Sequence, residues 1–201
     1  MSLERTLNQP HIRRLADSLQ VEEGIATSPD GIGVWAAVAL IFRAVDDSAE
    51  LLFIKRVERE GDSWSGQVAL PGGRHDPDDE SLLGTAIRET WEEIGLQLGT
   101  LGETLGVLDD VAPRTPVLPP IAVRPYVFAV PRDVATVAGA EVAEIFWVPL
   151  ELLRDESRWA EADVDAAGAV LRVPAIRYGE HTIWGMTHRI VLQVLNRIRD
   201  E

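Results

Sequence analysis

The chain has 201 residues, 46% hydrophobic and 26% charged, the balance of an ordinary soluble globular protein with one decorated domain or two small ones. Nineteen basic against 33 acidic residues give a formal net charge of −14, which repels nucleic-acid backbones and anionic membranes and excludes general polyanion binding. Cysteine is absent, which excludes disulfides, thiolate nucleophiles and cysteine–zinc sites and fits a cytoplasmic location.

No run approaches the roughly 18 to 20 apolar residues of a membrane span, and the opening MSLERTLNQPHIRRLADSLQ has no apolar segment of the secretory kind. Residues 4–20 read as an amphipathic helix with Leu7, Ile12, Leu15 and Leu19 inward, followed by a loop over Val21–Gly31. Residues 1–30 thus lead into one globular domain over 31–201. Val34–Phe42 and Leu51–Val57 are nearly continuous apolar runs on either side of Asp46-Asp47-Ser48, the pattern of a hairpin of two well-buried strands. Gly61–Ser65 is a loop before a short strand at Gln67–Leu70. Further strands are expected at Leu101–Leu108, Ile121–Val130 and Ala143–Val148. The proline-rich loop Asp109–Pro120 and the loop Pro131–Ala140 separate them. Pro149–Leu153 begins a short helix, Asp155–Gly168 reads as an excursion, and Val170–Tyr178 as a hairpin strand. A last helix runs over Gly185–Arg199, with Met186, Ile190, Val194 and Ile198 at helical spacing. One α/β domain with a mixed sheet is the simplest architecture.

The chain is organised around Leu70–Leu96. This stretch opens at a glycine turn, Gly72-Gly73, crosses an acidic loop, and becomes a helix that stops at Gly95. Arg88, Glu89, Glu92 and Glu93 lie towards the end of that helix. At about 100° per residue, the three glutamates fall within about one third of the circumference, with Leu83, Ile87 and Ile94 opposite. Grouped carboxylates repel one another unless a cation sits between them, and hard divalent cations prefer oxygen ligands. An isolated Arg-Glu-x-x-Glu-Glu run is usually a solvated helix face. Acidic groups near a helix C-terminus oppose its dipole, which favours a functional reason here. Lys55, Arg56, Arg59 and Arg114 are candidates for phosphate contacts or for plain solvation. Trp64 is a candidate for base stacking or for packing under the glycine turn. His75 reads as loop-exposed, and His11, His181 and His188 as structural. Phosphate-binding Gly-x-x-x-x-Gly-Lys, Gly-x-Ser-x-Gly and dinucleotide fingerprints are absent.

The same stretch resembles the Nudix box: Gly, five residues, Glu, seven residues, Arg-Glu, apolar, any, Glu-Glu, any, Gly, apolar. Its second half matches at Arg88-Glu89-Thr90-Trp91-Glu92-Glu93-Ile94-Gly95-Leu96, with Thr90 where an aliphatic residue is usual. Its first half is one residue longer. Counting from Gly73 lands on Asp79, and counting back from Arg88 lands on Glu80, so the early acidic position is one of these two. The flanks 62–73, Asp76-Pro77-x-Asp79, 141–150 and 184–187 resemble the coenzyme A pyrophosphatase branch, which shares the expansion. The similarity covers most of residues 33–195. The segment 56–62 departs from that branch's Arg-Ser-x-x-Leu-Arg-x-His lead-in.

The resemblance implies a Nudix-type α/β/α sandwich with a central mixed β-sheet. It implies a hydrolase that uses Mg²⁺ or Mn²⁺ to cleave a small-molecule nucleoside diphosphate linked to a group X, with coenzyme A or its thioesters favoured. ADP-ribose, NADH, dinucleoside polyphosphates and nucleotides stay open, and a nucleotide-binding module without turnover is the alternative of another class. The net charge disfavours RNA cap removal. Carried over by position, Glu89 and Glu93 are the main metal ligands and Glu92 shares them, with Asp79 or Glu80 in support. Arg88 orients a glutamate, and Gly72 and Gly73 fix the loop against the helix. The general base is a box glutamate, Glu141 or Glu144, with Glu144 preferred among the later residues. Arg56 and Arg59 are substrate-binding candidates. Homodimers are common in the family, and the N-terminal helix or residues 155–168 are the candidate contacts. Partners in nucleic acid or membrane are not expected.

Overall fold

The two apolar runs around Asp46 form the middle of the sheet. The computed structural model describes residues 2–21, 33–61, 64–113, 120–166 and 169–199. Strands β1 (Val34–Val45) and β2 (Ser48–Arg56) pair antiparallel through a two-residue turn. Asp46 in that turn has φ 54°, a left-handed conformation that a short polar side chain tolerates. The short strands β3 (Val68–Ala69) and β4 (Gly72–Arg74) follow. Then come β5 (Glu103–Val107), β6 (Ile121–Ala129) and β7 (Val142–Pro149). The order is β3-β2-β1-β6-β5, with β4 added to β1 and β7 to β2. Because β6 runs parallel to β1 while the other pairs are antiparallel, the sheet is mixed.

Strand alternation divides the core in two. Leu52 and Ile54 of β2 face one cluster, which includes Ile94 of the helix α3 (Leu82–Ile94). Ala49, Leu51 and Phe53 face the other. There they meet Ile12, Leu15 and Leu19 of α2 (Pro10–Val21) and Ile190, Val191 and Val194 of α6 (Gly185–Arg197). The result is the expected α/β/α arrangement. By the same alternation Arg56 points to the α3 side and Lys55 to the α2–α6 side.

Several boundaries differ from expectation. The N-terminal helix is two: α1 (Leu3–Leu7) ends before α2, because Pro10 lacks an N–H and constrains the residue before it. The Gln9 side-chain oxygen accepts from the N–H groups of His11 and Ile12 at 2.8 and 3.1 Å and caps α2. The break turns Thr6 inward in place of Leu7, and its hydroxyl donates to the Val130 carbonyl at 2.8 Å. Most of the loop expected at Val21–Gly31 lies outside the described residues. The strand expected from Leu101 begins at Glu103, after a helical turn, α4 (Leu98–Leu101). After α5 (Leu150–Arg154), the excursion expected at 155–168 contains a strand, β8 (Trp159–Ala166). It pairs with β9 (Ala169–Tyr178), and β9 with β10 (His181–Trp184), in a second, three-stranded sheet. The alternating Ala-Glu-Ala-Asp of β8 carries no apolar run to announce it. Among the described residues no helix is long and apolar enough to cross a membrane.

Candidate active site

Gly72 and Gly73 do not form a free turn; they are the first residues of β4, laid against Val38 and Ala37 of β1. Gly72 has φ +147°, and a Cβ there would meet the Ala37 carbonyl and the Val38 Cα, so only glycine fits. Its N–H donates to Oε2 of Glu93 at 2.9 Å. A Cβ on Gly73 would fall 2.6 Å from both carboxylate oxygens of Glu89. The two glycines thus bring a strand edge directly beneath two of the glutamates.

Helix α3 is well specified by its sequence. Ser81 caps its start, its hydroxyl accepting from Gly84 N–H at 3.1 Å, and Gly95 ends it at φ 65°. Leu83, Ile87 and Ile94 dock it on the sheet. Thr90, in the position where an aliphatic residue is usual, is buried, and its hydroxyl donates to the Ala86 carbonyl at 2.7 Å. The last helical carbonyls are not left bare. Gly139 N–H donates to Glu93 O and Val137 N–H to Ile94 O, each at 2.8 Å, so the loop expected at 131–140 closes the helix end.

On the polar face Arg88 links three carboxylates. Its Nε and Nη2 hold the Asp79 carboxylate in a fork at 2.7 and 2.9 Å. Its Nη1 donates to Glu89 at 2.9 Å and to Glu92 at 3.2 Å. Asp79 also accepts from the Thr85 hydroxyl and the Asp76 N–H. Arg88 above all, with Asp76 and Thr85, holds its carboxyl well below the usual carboxylate range. Glu80 is exposed. The geometry therefore separates the two early acidic candidates: Asp79 joins the cluster and Glu80 faces solvent.

Glu93 is the buried member, its side chain 7% exposed. Burial pushes its carboxyl up to about 7, against the Gly72 N–H, with Glu89 and Glu141 raising it and Arg56 lowering it. The Arg56 Nη1 stands 3.9 Å away. Burial likewise raises Glu89, against the Arg88 hydrogen bond. Two desolvated carboxylates side by side form a place that a cation stabilises. The donor set suits a hard divalent ion: oxygen ligands only, three of them from one helix face. Among the described residues no three acidic or histidine side chains converge on one point. Arg88 holds Glu89 and Glu92, and Glu93 turns to Gly72 with Arg56 nearby.

The later candidates part company. Arg59 Nη1 pairs with Glu141 at 2.7 Å, and Gly139, two residues before Glu141, donates to the Glu93 carbonyl, which sets this segment at the end of α3. Glu144, the preferred base of the later residues, lies on the other face of the sheet from α3. It is opposite Lys55 in the β2–β7 register and shares its face with Phe146 and Val148, in the α2–α6 core. Its carboxylate is 3.5 Å from His181 Nε2. A shift in register between Lys55 and Arg56 gives Val142 and Glu144 opposite faces despite their spacing of two. Lys55 is separated from the site by the same parity. Trp64 is partly buried in the turn before β3. Arg114 lies outside the described residues.

His75 is exposed as expected, and it also reaches inward. Its side chain is 33% exposed and its Nδ1 is 2.8 Å from the hydroxyl of the buried Thr85. The sequence did carry a signal for Thr85, which precedes Glu89 by four residues and so shares its helix face. Of the histidines read as structural, His181 stacks on Phe146 at 4.0 Å, His188 is buried, and His11 meets Arg154 at 2.8 Å.

A family model described as the NUDIX domain matches residues 34–167. The chain is 36% identical over 138 residues to an uncharacterized Nudix hydrolase, NudL, of Photorhabdus laumondii, covering 68% of this chain and 71% of that one. It is 34% identical over 135 residues to a NudL of Yersinia pestis, covering 67% and 65%. Among solved structures, a MutT/nudix family protein from Enterococcus faecalis has a TM-score of 0.56 at 19% identity, covering 89% of this chain and 66% of that one, a likeness of fold.

Proposed function

The chain belongs to the NUDIX family, as one of its hydrolases, and we propose that it cleaves a nucleoside diphosphate linked to a group X at the Glu89–Glu92–Glu93 face of α3. The observation that carries this reading is the pair of desolvated carboxylates, Glu89 and Glu93, set on a strand edge of two glycines. A divalent ion, Mg²⁺ or Mn²⁺, bound by Glu89, Glu93 and Glu92 supplies charge neutralisation of the diphosphate and a water of lowered pKa. Gly72 N–H holds Glu93 in place for this role. Gly73 leaves room for Glu89. Asp79 acts as a positioning residue that fixes Arg88, since its oxygens already take four protein donors. Arg88 in turn orients Glu89 and Glu92.

Water attacks one phosphorus, the bridging P–O bond breaks, and the products are a nucleoside monophosphate and X-phosphate. Glu141 takes the proton of that water; its segment is joined to the end of α3 through Gly139, which supports it over Glu144. Arg56 and Arg59 bind the phosphates from the same side. The favoured substrate is coenzyme A or a thioester of it, on the strength of the flanking segments 62–73 and 141–150. The test is a Mg²⁺-dependent assay over coenzyme A, acyl-coenzyme A, ADP-ribose, NADH and dinucleoside polyphosphates, with Glu93→Gln beside the wild type. Cleavage of none of them, or full activity in Glu93→Gln, overturns the assignment.

A further inference from the structure

We propose that Thr85 is a positioning residue for this site, fixing Asp79 and, through the Arg88 fork, the glutamates Glu89 and Glu92, with His75 completing the chain from the loop. The proposal rests on the catalytic reading of the α3 face. Thr85 is fully buried, and its hydroxyl is 2.8 Å from Asp79 Oδ2, 2.8 Å from His75 Nδ1 and 3.2 Å from the Ser81 carbonyl. A hydroxyl has one proton to give. Asp79 is held by a two-pronged guanidinium and is an anion, so its contact with the threonine needs that proton. The ring nitrogen of His75 must then carry its own hydrogen and donate to Thr85. The chain runs His75 Nδ1–H to Thr85 O–H to Asp79, and both donors point the same way, an arrangement in which each bond polarises the next.

Both ends of this chain are anchored. His75 N–H donates to the Trp35 carbonyl of β1 at 2.9 Å, which ties the loop to the sheet. Arg88 Nη2 reaches the Arg74 carbonyl at 3.3 Å as well as Asp79. Losing the Thr85 proton leaves a buried carboxylate oxygen one donor short. The Arg88 fork then has freedom to rotate, and the Nη1 that faces Glu89 and Glu92 rotates with it. Asp79, Thr85 and Arg88 act through the glutamates that do the binding.

The experiment uses the full chain, with Thr85→Val, Thr85→Ser and Glu93→Gln. Metal-free protein is titrated with Mn²⁺ by calorimetry, steady-state rates are measured on a cleaved substrate, and the histidine ring N–H signals are recorded by NMR. Thr85→Val is expected to weaken Mn²⁺ binding about tenfold and to lower kcat about tenfold with KM within about twofold. It is also expected to erase the His75 Nδ1–H signal. Thr85→Ser keeps the hydroxyl and is expected within about twofold of wild type throughout. Wild-type Mn²⁺ binding and kcat in Thr85→Val overturn the proposal. So does a Thr85→Ser as impaired as Thr85→Val, which would mark a packing role for the methyl group. If Thr85→Val does not fold, His75→Ala reads the chain from its part-exposed end. There Mn²⁺ affinity about threefold weaker supports the proposal, and unchanged affinity overturns it. Full activity in Glu93→Gln overturns the catalytic reading itself. Inactive Glu93→Gln with wild-type Thr85→Val overturns the Thr85 proposal alone.

Discussion

The N–H of Gly72 donates to Glu93 Oε2 at 2.9 Å and joins the start of the organising stretch to the end of its helix. Two residues 21 apart in sequence are joined by this one hydrogen bond. That bond is the main favourable contact of a carboxylate whose desolvation otherwise keeps it protonated.

The contribution of Glu93 to the stability of the metal-free protein therefore falls as pH rises from about 4.5 to about 7. Glu93 is raised from its ordinary value of 4.5 to about 7. Between those values the fold keeps a proton that the unfolded chain has lost, so stability declines across this window. The change is about 3 kcal/mol. Glu89 is raised too and adds in the same direction. Urea unfolding with chelator from pH 4.5 to 8 is expected to show this decline in wild type and to lose most of it in Glu93→Gln. The amide still accepts from Gly72 and carries no charge to desolvate. Equal pH slopes in the two proteins would assign the buried proton elsewhere.

The two adjacent glycines are expected to fail differently. In Gly72→Ala the new Cβ meets backbone of β1, at a φ that alanine rarely adopts. Backbone there has nowhere to go, and the cost is at least about 3 kcal/mol in chemical denaturation. In Gly73→Ala the Cβ meets the far end of the Glu89 side chain, which moves. Stability then changes by no more than about 1 kcal/mol, while kcat drops at least about tenfold. A Gly73→Ala enzyme of normal rate would remove Glu89 from the active centre.

Asp79 and Glu80, equivalent in sequence, are expected to separate on substitution. Asp79→Asn breaks the Arg88 fork and costs about 2 kcal/mol, because charged hydrogen bonds to a buried acceptor are lost. Since Asp79 is held below its ordinary 3.8, its contribution is present above that value and is lost as pH falls through and below it. Glu80→Gln, at an exposed position, stays within about 0.5 kcal/mol. Thermal melts at pH 7 and pH 3 on the three proteins check both halves. A deficit in Asp79→Asn as large at pH 3 as at pH 7 would contradict the charged fork.

The box helix was legible because its signals are local. The Ser81 cap, the apolar spacing of Leu83, Ile87 and Ile94, and the Gly95 stop each act within a few residues. The mixed sheet was legible from the apolar runs of β1, β2 and β6. What stayed hidden is non-local. That Gly72–Arg74 is a strand depends on β1, thirty-odd residues earlier, offering Ala36, Ala37 and Val38 as partners. The closing of α3 by Val137 and Gly139 depends on a loop with no pattern of its own. The choice between Asp79 and Glu80 needs the side-chain direction of Arg88, which spacing does not fix when the box is one residue longer.

Glu141 and Glu144 show the same limit most sharply, and they give the most direct test of the chemistry. They lie three residues apart on one segment, both about half exposed, with side chains 51% accessible in each case. Exposure and sequence distance thus give no reason to prefer either. Strand direction does for Glu144, which shares the face of Phe146 and meets His181, while Glu141 precedes β7 and pairs with Arg59 on the segment that Gly139 joins to the Glu93 carbonyl. Only a carboxylate on the α3 side has access to a water attacking at that face. Glu141→Gln is accordingly expected to lower kcat about 100-fold or more, as loss of a general base does, with the fold intact by circular dichroism. Glu144→Gln is expected to keep kcat within about twofold, since it lies across a sheet from the chemistry. A rate loss in Glu144→Gln with none in Glu141→Gln would reverse the assignment and require β7 to present its other face to the substrate.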